Sequence, residues 1–259
     1  MDKNLQIPGQ YTILFQTASV VPAPYAHFYT LKMDIESEQQ MNVDFGITYL
    51  DREDLSEDDL MDEGFSVDDD YKWNGQVPAI WIGEFRAILN SSKLVRKREE
   101  SEFEDFIEIE LEENGQRVNI YPVDKERWSY VLQEFMQAIF ETGGREKPFE
   151  LTFLDIGADK QTILDLKASF ALKSFTISKN KGVARRLEWS QLQKIMDTVY
   201  KAEFVTDNAF EAKPSKKGKY ITAGDGLWYQ LGVAVLETTS KSKDIAKIEA
   251  LFSTLDGKI

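Results

Sequence analysis

Residues 26–50 read AHFYTLKMDIESEQQMNVDFGITYL, and residues 147–171 read KPFELTFLDIGADKQTILDLKASFA. A shift of 121 residues lays one over the other without a gap. It puts Phe28 on Phe149, Asp34 on Asp155, Ile35 on Ile156, Gln40 on Gln161 and Asp44 on Asp165. In the first stretch Leu31, Met33 and Ile35 alternate with Lys32, Asp34 and Glu36. Val43, Phe45, Ile47 and Tyr49 alternate with Asn42, Asp44, Gly46 and Thr48. Period-two patterns on both sides of the polar stretch Glu36–Gln40 predict a β-hairpin with one buried face.

The segments around this hairpin extend the pattern. Tyr11–Thr17 is rich in β-formers and predicts a first strand. The run Val21-Pro-Ala-Pro-Tyr25 then interrupts regular structure. Trp81, Phe85, Ile88 and Leu89 carry helical spacing over Pro78–Asn90. Ile107, Ile109 and Leu111 alternate with glutamates ahead of Asn114-Gly115, a pair suited to a tight hairpin turn. Trp128, Leu132, Phe135, Met136 and Ile139 predict a helix that Asp124 caps and Gly143-Gly144 ends. Beyond it the order recurs. A hairpin spans Phe149–Ser178, with a break near Lys173, and a helix spans Leu187–Tyr200. A strand pair then turns at Asp225-Gly226, and a last helix, capped by Ser242, carries Ile248, Phe252 and Leu255.

Each half therefore reads hairpin, helix, hairpin, helix. The expected fold class is α+β, with antiparallel sheet built from hairpins and about four packed helices. We expect an internal duplication, with residues 1–144 as one half and 145–259 as the other, joined in one pseudo-symmetric unit. Trp81, Trp128 and Trp189, each near a helix start, are expected core anchors.

Charge is distributed unevenly. The chain carries −14, and residues 51–70 alone hold eleven acids against one base, Arg52. The remaining residues thus carry only −4. Crowded carboxylates disfavour a long ordered element, so the segment reads as an exposed insertion with at most a short helix around Leu55, Leu60 and Met61. Asp58, Asp59, Asp62, Glu63, Asp68, Asp69 and Asp70 are its candidate contacts to a protein partner, a basic one above all. An acidic body disfavours nonspecific binding of nucleic acid or anionic lipid. No run of apolar residues is long enough to span a membrane. The absence of cysteine removes disulfides and thiolate metal sites, and a cytoplasmic location is the expectation.

Chemical motifs are sparse. His27 is the sole histidine, a candidate general base or a structural side chain, and it excludes any site needing several histidines. There is no Walker loop, nucleophile elbow or zinc-protease motif. Asp155, followed ten residues later by Asp165-Leu166-Lys167, resembles the PD-(D/E)xK nuclease core. That resemblance implies an enzyme in which both carboxylates hold Mg²⁺ and Lys167 helps position water. The chain departs from the pattern at Leu154, where the family has proline, and Gly46 stands opposite Lys167 in the first copy. The recurring aspartates also raise a milder expectation: Asp34 facing Asp44, and Asp155 facing Asp165, across their hairpins, neutralised by Lys32 or Lys167. No resident metal or cofactor is expected.

Two basic clusters lie in the second half: Lys179, Lys181, Arg185 and Arg186, then Lys213, Lys216, Lys217 and Lys219. Hairpins followed by helices are similar, in pattern only, to the whirly PUR-type single-strand nucleic-acid binders, whose units have four strands and a helix. This implies a phosphate-tracking groove in which Trp228 or Tyr229 stacks on bases. The favoured expectation is a non-catalytic binding or scaffold protein. A Mg²⁺-dependent nuclease and a single-strand binder are the alternatives.

Overall fold

The computed structural model describes residues 9–98, 101–113 and 115–257. The chain forms two compact units, Met1–Glu146 and Lys147–Ile259. Asn114 of the expected hairpin turn lies outside the described residues. The fold is α+β, with antiparallel sheets and, among the described residues, five α-helices, as the hairpin and stripe patterns require.

In the first unit the elements are β1 (Gly9–Gln16), β2 (His27–Ser37), β3 (Gln40–Tyr49), α1 (Glu57–Asp62), β4 (Tyr71–Val77), α2 (Ile80–Ser91), β5 (Leu94–Val95), β6 (Phe106–Glu113), β7 (Gln116–Pro122) and α3 (Lys125–Thr142). The strands make one antiparallel sheet in the order β4-β3-β2-β1-β6-β7-β5. Alternation sends Ile13, Leu31, Met33, Val43, Phe45 and Ile109 to one face, where all are buried. The stripes of α2 and α3 cover that face. Trp81 and Phe85 meet Phe135 with ring centroids 4.8 and 4.9 Å apart, and Phe45 meets Phe140 edge-on at 6.1 Å. Trp128 is fully buried and donates its indole N–H to Ser92 Oγ at 2.8 Å. Asp124 makes no side-chain cap on α3. Its carboxylate instead accepts from Ser92 Oγ at 3.0 Å, because Ser92 is held there by Trp128.

In the second unit the elements are β8 (Phe149–Ile156), β9 (Gln161–Ser169), β10 (Ser174–Lys179), β11 (Arg185–Arg186), α4 (Ser190–Val199), β12 (Glu203–Phe204), β13 (Gly218–Thr222), β14 (Tyr229–Gln230), β15 (Val235–Leu236) and α5 (Asp244–Asp256). The sheet runs β11-β10-β9-β8-β13-β14, and β12 pairs with β15 apart from it. Leu151, Phe153, Leu164, Leu166, Phe175 and Ile177 pack under Leu192, Ile195, Ile248 and Phe252. Phe153 and Phe252 stack at 4.2 Å. The break near Lys173 is present, with Lys173 at φ 47° between β9 and β10. Ser242 does not cap α5. The Glu237 carboxylate reaches the helix start, accepting from Asp244 N–H at 2.5 Å and Ile245 N–H at 3.3 Å, while Ser242 Oγ donates to Glu237 at 2.8 Å. The Asp225-Gly226 turn is part of a longer connection between β13 and β14 and is not a two-residue hairpin.

The 25-residue match does not survive as a residue correspondence. The first hairpin pairs Asp34 with Asn42, so the 121-residue shift requires Asp155 opposite Ile163; Asp155 faces Thr162. A one-residue change of register inverts a strand's faces. The buried Leu31 and Met33 thus overlie Thr152 and Leu154, on the opposite face from Leu151 and Phe153 of the core. Strand order tells a different story. β8, not β9 or β10, holds the central place that β1 holds in the first unit, and the order β4-β3-β2-β1-β6-β7 is matched by β11-β10-β9-β8-β13-β14. On sheet position, the expected partnership of β2–β3 with β8–β9 is displaced by one strand.

Candidate functional site

The acidic segment folds around its single base. The Arg52 side chain is only 4% exposed. Its Nε donates to the Pro24 carbonyl at 3.2 Å, and Nη1 donates to the Ser66 carbonyl at 2.6 Å and to the Asp69 carboxylate. The guanidinium lies over the rings of Tyr49, 3.9 Å away, and Phe65, 4.8 Å away. An arginine sits in such a place only when its charge is matched, since burying it unpaired costs several kcal/mol; Nε and Nη1 are bonded, while Nη2 is buried without a hydrogen-bond partner among the described residues. Asp69 is the match. Burial works against its carboxylate, but hydrogen bonds from the Ser66 N–H and hydroxyl and from Arg52 outweigh that and hold its pKa below the ordinary value. Arg145 adds a second cation, 4.0 Å from Asp69 Oδ1, and donates to the Asp69 carbonyl at 3.0 Å.

Other contacts pin the rest of the segment. The Tyr49 N–H donates to Asp70 at 2.9 Å, and the Tyr25 hydroxyl donates to Glu63 at 2.7 Å. Ser56 caps α1 by accepting from the Asp59 N–H at 3.1 Å and donates to the Asp59 carboxylate at 2.6 Å. Leu60 is buried beneath the helix. The expected partner contacts therefore divide. Asp59, Glu63, Asp69 and Asp70 hold the cap together. The side chains of Asp58, Asp62 and Asp68 stand exposed and make no hydrogen bond or ion pair among the described residues, and those of Asp51, Glu53, Asp54 and Glu57 join them. Arg52 was the residue to notice in the sequence: one base within eleven acids is the signal of an internal counter-charge.

The second feature is the sheet face that α2 and α3 leave uncovered in the first unit. Polar side chains cross it in rows set by strand register. One row runs Gln10, Asp34, Asn42, Gln76 and the next Thr12, Lys32, Asp44, Asn74. They line a shallow depression of about 640 Å³ with Arg117 at its side. Lys32 and Asp44 pair at 3.5 Å, and Asn42 donates to Glu36 at 2.6 Å. The expectation that Asp34 faces Asp44 is corrected here. Asp34 faces Asn42 and Asp44 faces Lys32, so no like charges are opposed.

The nuclease-like residues do not converge. Asp165 accepts from Thr152 at 2.8 Å, and Lys167 donates to Glu150 at 2.6 Å, both across the β8–β9 ladder. The Glu150 contact raises the Lys167 pKa further. Asp155 lies on the other face of the sheet, because it alternates with Leu154 and shares its side with Leu151 and Phe153. Nor does Asp155 face Asp165; their partners are Thr162 and Thr152. Among the described residues no group of three or more acids and histidines is placed to hold a metal ion.

The basic clusters are divided too. Lys179 pairs with Asp256 at 2.6 Å and Lys219 with Glu249 at 3.0 Å, so α5 neutralises both. β11, with Arg185 and Arg186, lies at one edge of the sheet, four strand spacings or ~19 Å from β13. Lys181, Lys213, Lys216 and Lys217 are exposed on their loops. Tyr229 is buried and donates to Asp225 at 2.7 Å, which removes it as a stacking platform.

His27 sits in an aromatic cluster, stacked on Phe15 at 5.6 Å and near Tyr29 and Tyr49. Its Nδ1 donates to the Tyr25 carbonyl at 2.8 Å. Burial lowers its pKa, opposed by that hydrogen bond. Among the described residues no nucleophile or acid is hydrogen-bonded to the ring, and Asp105 acts on it only through space.

No known protein family matches the chain, and comparison with characterised proteins and with solved structures finds no match in either. Among the described residues no helix is long and apolar enough to cross a membrane.

Proposed function

We propose that the chain is a non-catalytic binding protein that presents a folded acidic cap to a cationic surface of a protein partner. What carries this reading is the buried Arg52 guanidinium. A solubilising loop needs charge alone. Here one arginine, two aromatic rings and a matched carboxylate hold seven free carboxylates in a fixed arrangement. Pre-organisation lowers the ordering cost of association, and complementary charge speeds encounter and selects partners.

A labelled Lys/Arg-rich peptide serves as the probe. Wild type is compared with a variant in which Asp51, Glu53, Asp54, Glu57, Asp58, Asp62 and Asp68 become Asn or Gln, and with Arg52→Met. The neutralised cap is expected to lose binding and its salt dependence. Arg52→Met makes the segment more negative yet loosens it, so weaker binding supports ordered display. Tighter binding by Arg52→Met, or equal binding by all three proteins, rejects the reading.

We infer also that the two units descend from one motif in which β1 corresponds to β8. The shared strand order supports this, and the gapless sequence match does not. Homologous sequences are expected to align the halves with β1 on β8; consistent alignment of β2 on β8 refutes the inference.

A further inference from the structure

Among the described residues, three of the four edges of the two large sheets end in two-residue strands: β5 in the first unit, β11 and β14 in the second. The fourth edge is different. β4 runs for seven residues, Tyr71-Lys72-Trp73-Asn74-Gly75-Gln76-Val77, and pairs with β3 in one unbroken register from Met41↔Val77 to Ile47↔Tyr71. It contains no proline and no bulge, and its only charge is Lys72. Folded proteins usually blunt an edge with short strands, bulges, prolines or several charges, because its free N–H and C=O groups template another strand. No backbone group among the described residues pairs with the outer side of β4.

We propose that β4 is a dimerisation edge, on which the β4 of a second copy of this chain adds in antiparallel orientation. The sequence of the strand is self-complementary. Only the register centred on Asn74 pairs all seven residues: Asn74 faces its own copy, Trp73 faces Gly75, Lys72 faces Gln76 and Tyr71 faces Val77. No like charges oppose one another. Centring on Lys72 would place two lysines face to face, which is unfavourable. Opposite each Trp73 stands a residue without a side chain, and its own indole already lies against Gly75. The polar row Thr12, Lys32, Asp44, Asn74 then continues into its mirror row, with two amides meeting at the two-fold axis.

The acidic cap precedes β4, so the antiparallel arrangement sends the two caps to opposite ends. Seven strand residues separate them by ~20 Å, more than twice the screening length of about 8 Å in physiological salt. Repulsion between the caps is therefore small. A single strand pair is a modest interface, and the expected behaviour is a concentration-dependent monomer–dimer equilibrium.

Sedimentation velocity from low to high micromolar protein tests this, with Asn74→Lys as the diagnostic variant. In the monomer Asn74 stands opposite Asp44 on an exposed face, so the substitution creates a favourable pair and leaves thermal stability unchanged or raised. In the dimer it opposes two lysines, and dimerisation is expected to weaken roughly five- to tenfold. Mixing Asn74→Lys with Asn74→Asp protein is expected to restore association between unlike copies. Amide exchange in residues 71–77 should slow with concentration in the wild type only. A wild type that stays monomeric throughout overturns the proposal, as does a dimer indifferent to Asn74→Lys.

Discussion

The Trp73 indole lies over Gly75 of its own strand, so close that a Cβ at residue 75 would stand 2.5 Å from the ring. Gly143, just past α3, approaches the same indole, and a Cβ there would fall 3.0 Å from its Cδ1 and collide with the Tyr71 hydroxyl. Two glycines far apart in sequence thus make the slot in which an edge-strand tryptophan packs. Gly75→Ala is expected to destabilise the first unit by about 1–3 kcal/mol through overpacking. In a Trp73→Leu background the same substitution should cost far less. Urea denaturation of the four proteins measures the coupling.

Because His27 is the sole histidine, its titration is isolated. Burial lowers its pKa in the folded state, so below the ordinary imidazole value of about 6.5 the unfolded chain binds a proton that the folded chain does not. Stability therefore rises with pH across that window and is lost as pH falls through it. Melting temperature measured from pH 7.5 down to 5.5 should decline in the wild type, and His27→Gln should flatten that decline. Equal slopes in both proteins would contradict the assignment.

Arg52→Met removes the counter-charge from beneath the cap and leaves Asp69 with Arg145 alone. Breaking a buried pair of this kind costs about 2–4 kcal/mol. Amide exchange and proteolytic cleavage are expected to accelerate in residues 51–70 before the sheet is affected. Asp69 has a lowered pKa, so its share of this stability is present above the ordinary carboxylate range and is lost as pH falls through its folded-state value. A cap equally protected in wild type and variant would show that Arg52 does not organise it.

Asp244 at the start of α5 is 1% exposed and accepts from the Thr238 hydroxyl at 2.6 Å and from Lys247 at 3.3 Å. The Thr238 bond, against the opposing effect of burial, brings its pKa down to about 2. Its contribution to stability is complete above the unfolded value of about 3.9 and is lost as pH falls toward 2. Carbon-detected NMR titration should find this carboxylate still ionised at pH 3. Asp244→Asn and Glu237→Gln should each lower the stability of the second unit, the latter by replacing one of the two oxygens that accept from the Asp244 and Ile245 N–H groups with an amide donor. A normal titration of Asp244 would refute the network.

Much of the fold was legible in local pattern. The alternation of Leu31–Ile35 and Val43–Ile47 identified a hairpin and its buried face, and the spacing of Trp128 to Ile139 identified α3 and its stripe. The mistakes came where a pattern had to name its partner. Alternation says which side chains share a face but not which strand lies next, so it could not place β1 at the centre of its sheet. Nor could a gapless match detect that the β8–β9 hairpin turns one residue out of register with β2–β3. Asp124 and Ser242 suited helix caps by position, yet Ser92 and Glu237, brought in from other segments, redirected both.

The candidate site divides in the same way. Composition by itself determined that negative charge is concentrated in residues 51–70 with Arg52 alone among the acids, and that no cysteine or multi-histidine chemistry is available. Only tertiary structure decided which carboxylates are consumed by Arg52, Tyr25 and Tyr49 and which remain exposed. It also decided that Asp155 parts from Asp165 and Lys167 across a sheet, and that β4 ends its sheet uncovered. The physical reason is common to all three. Charge and periodicity are properties of neighbouring residues, whereas neutralisation, facing and edge position depend on non-local pairing.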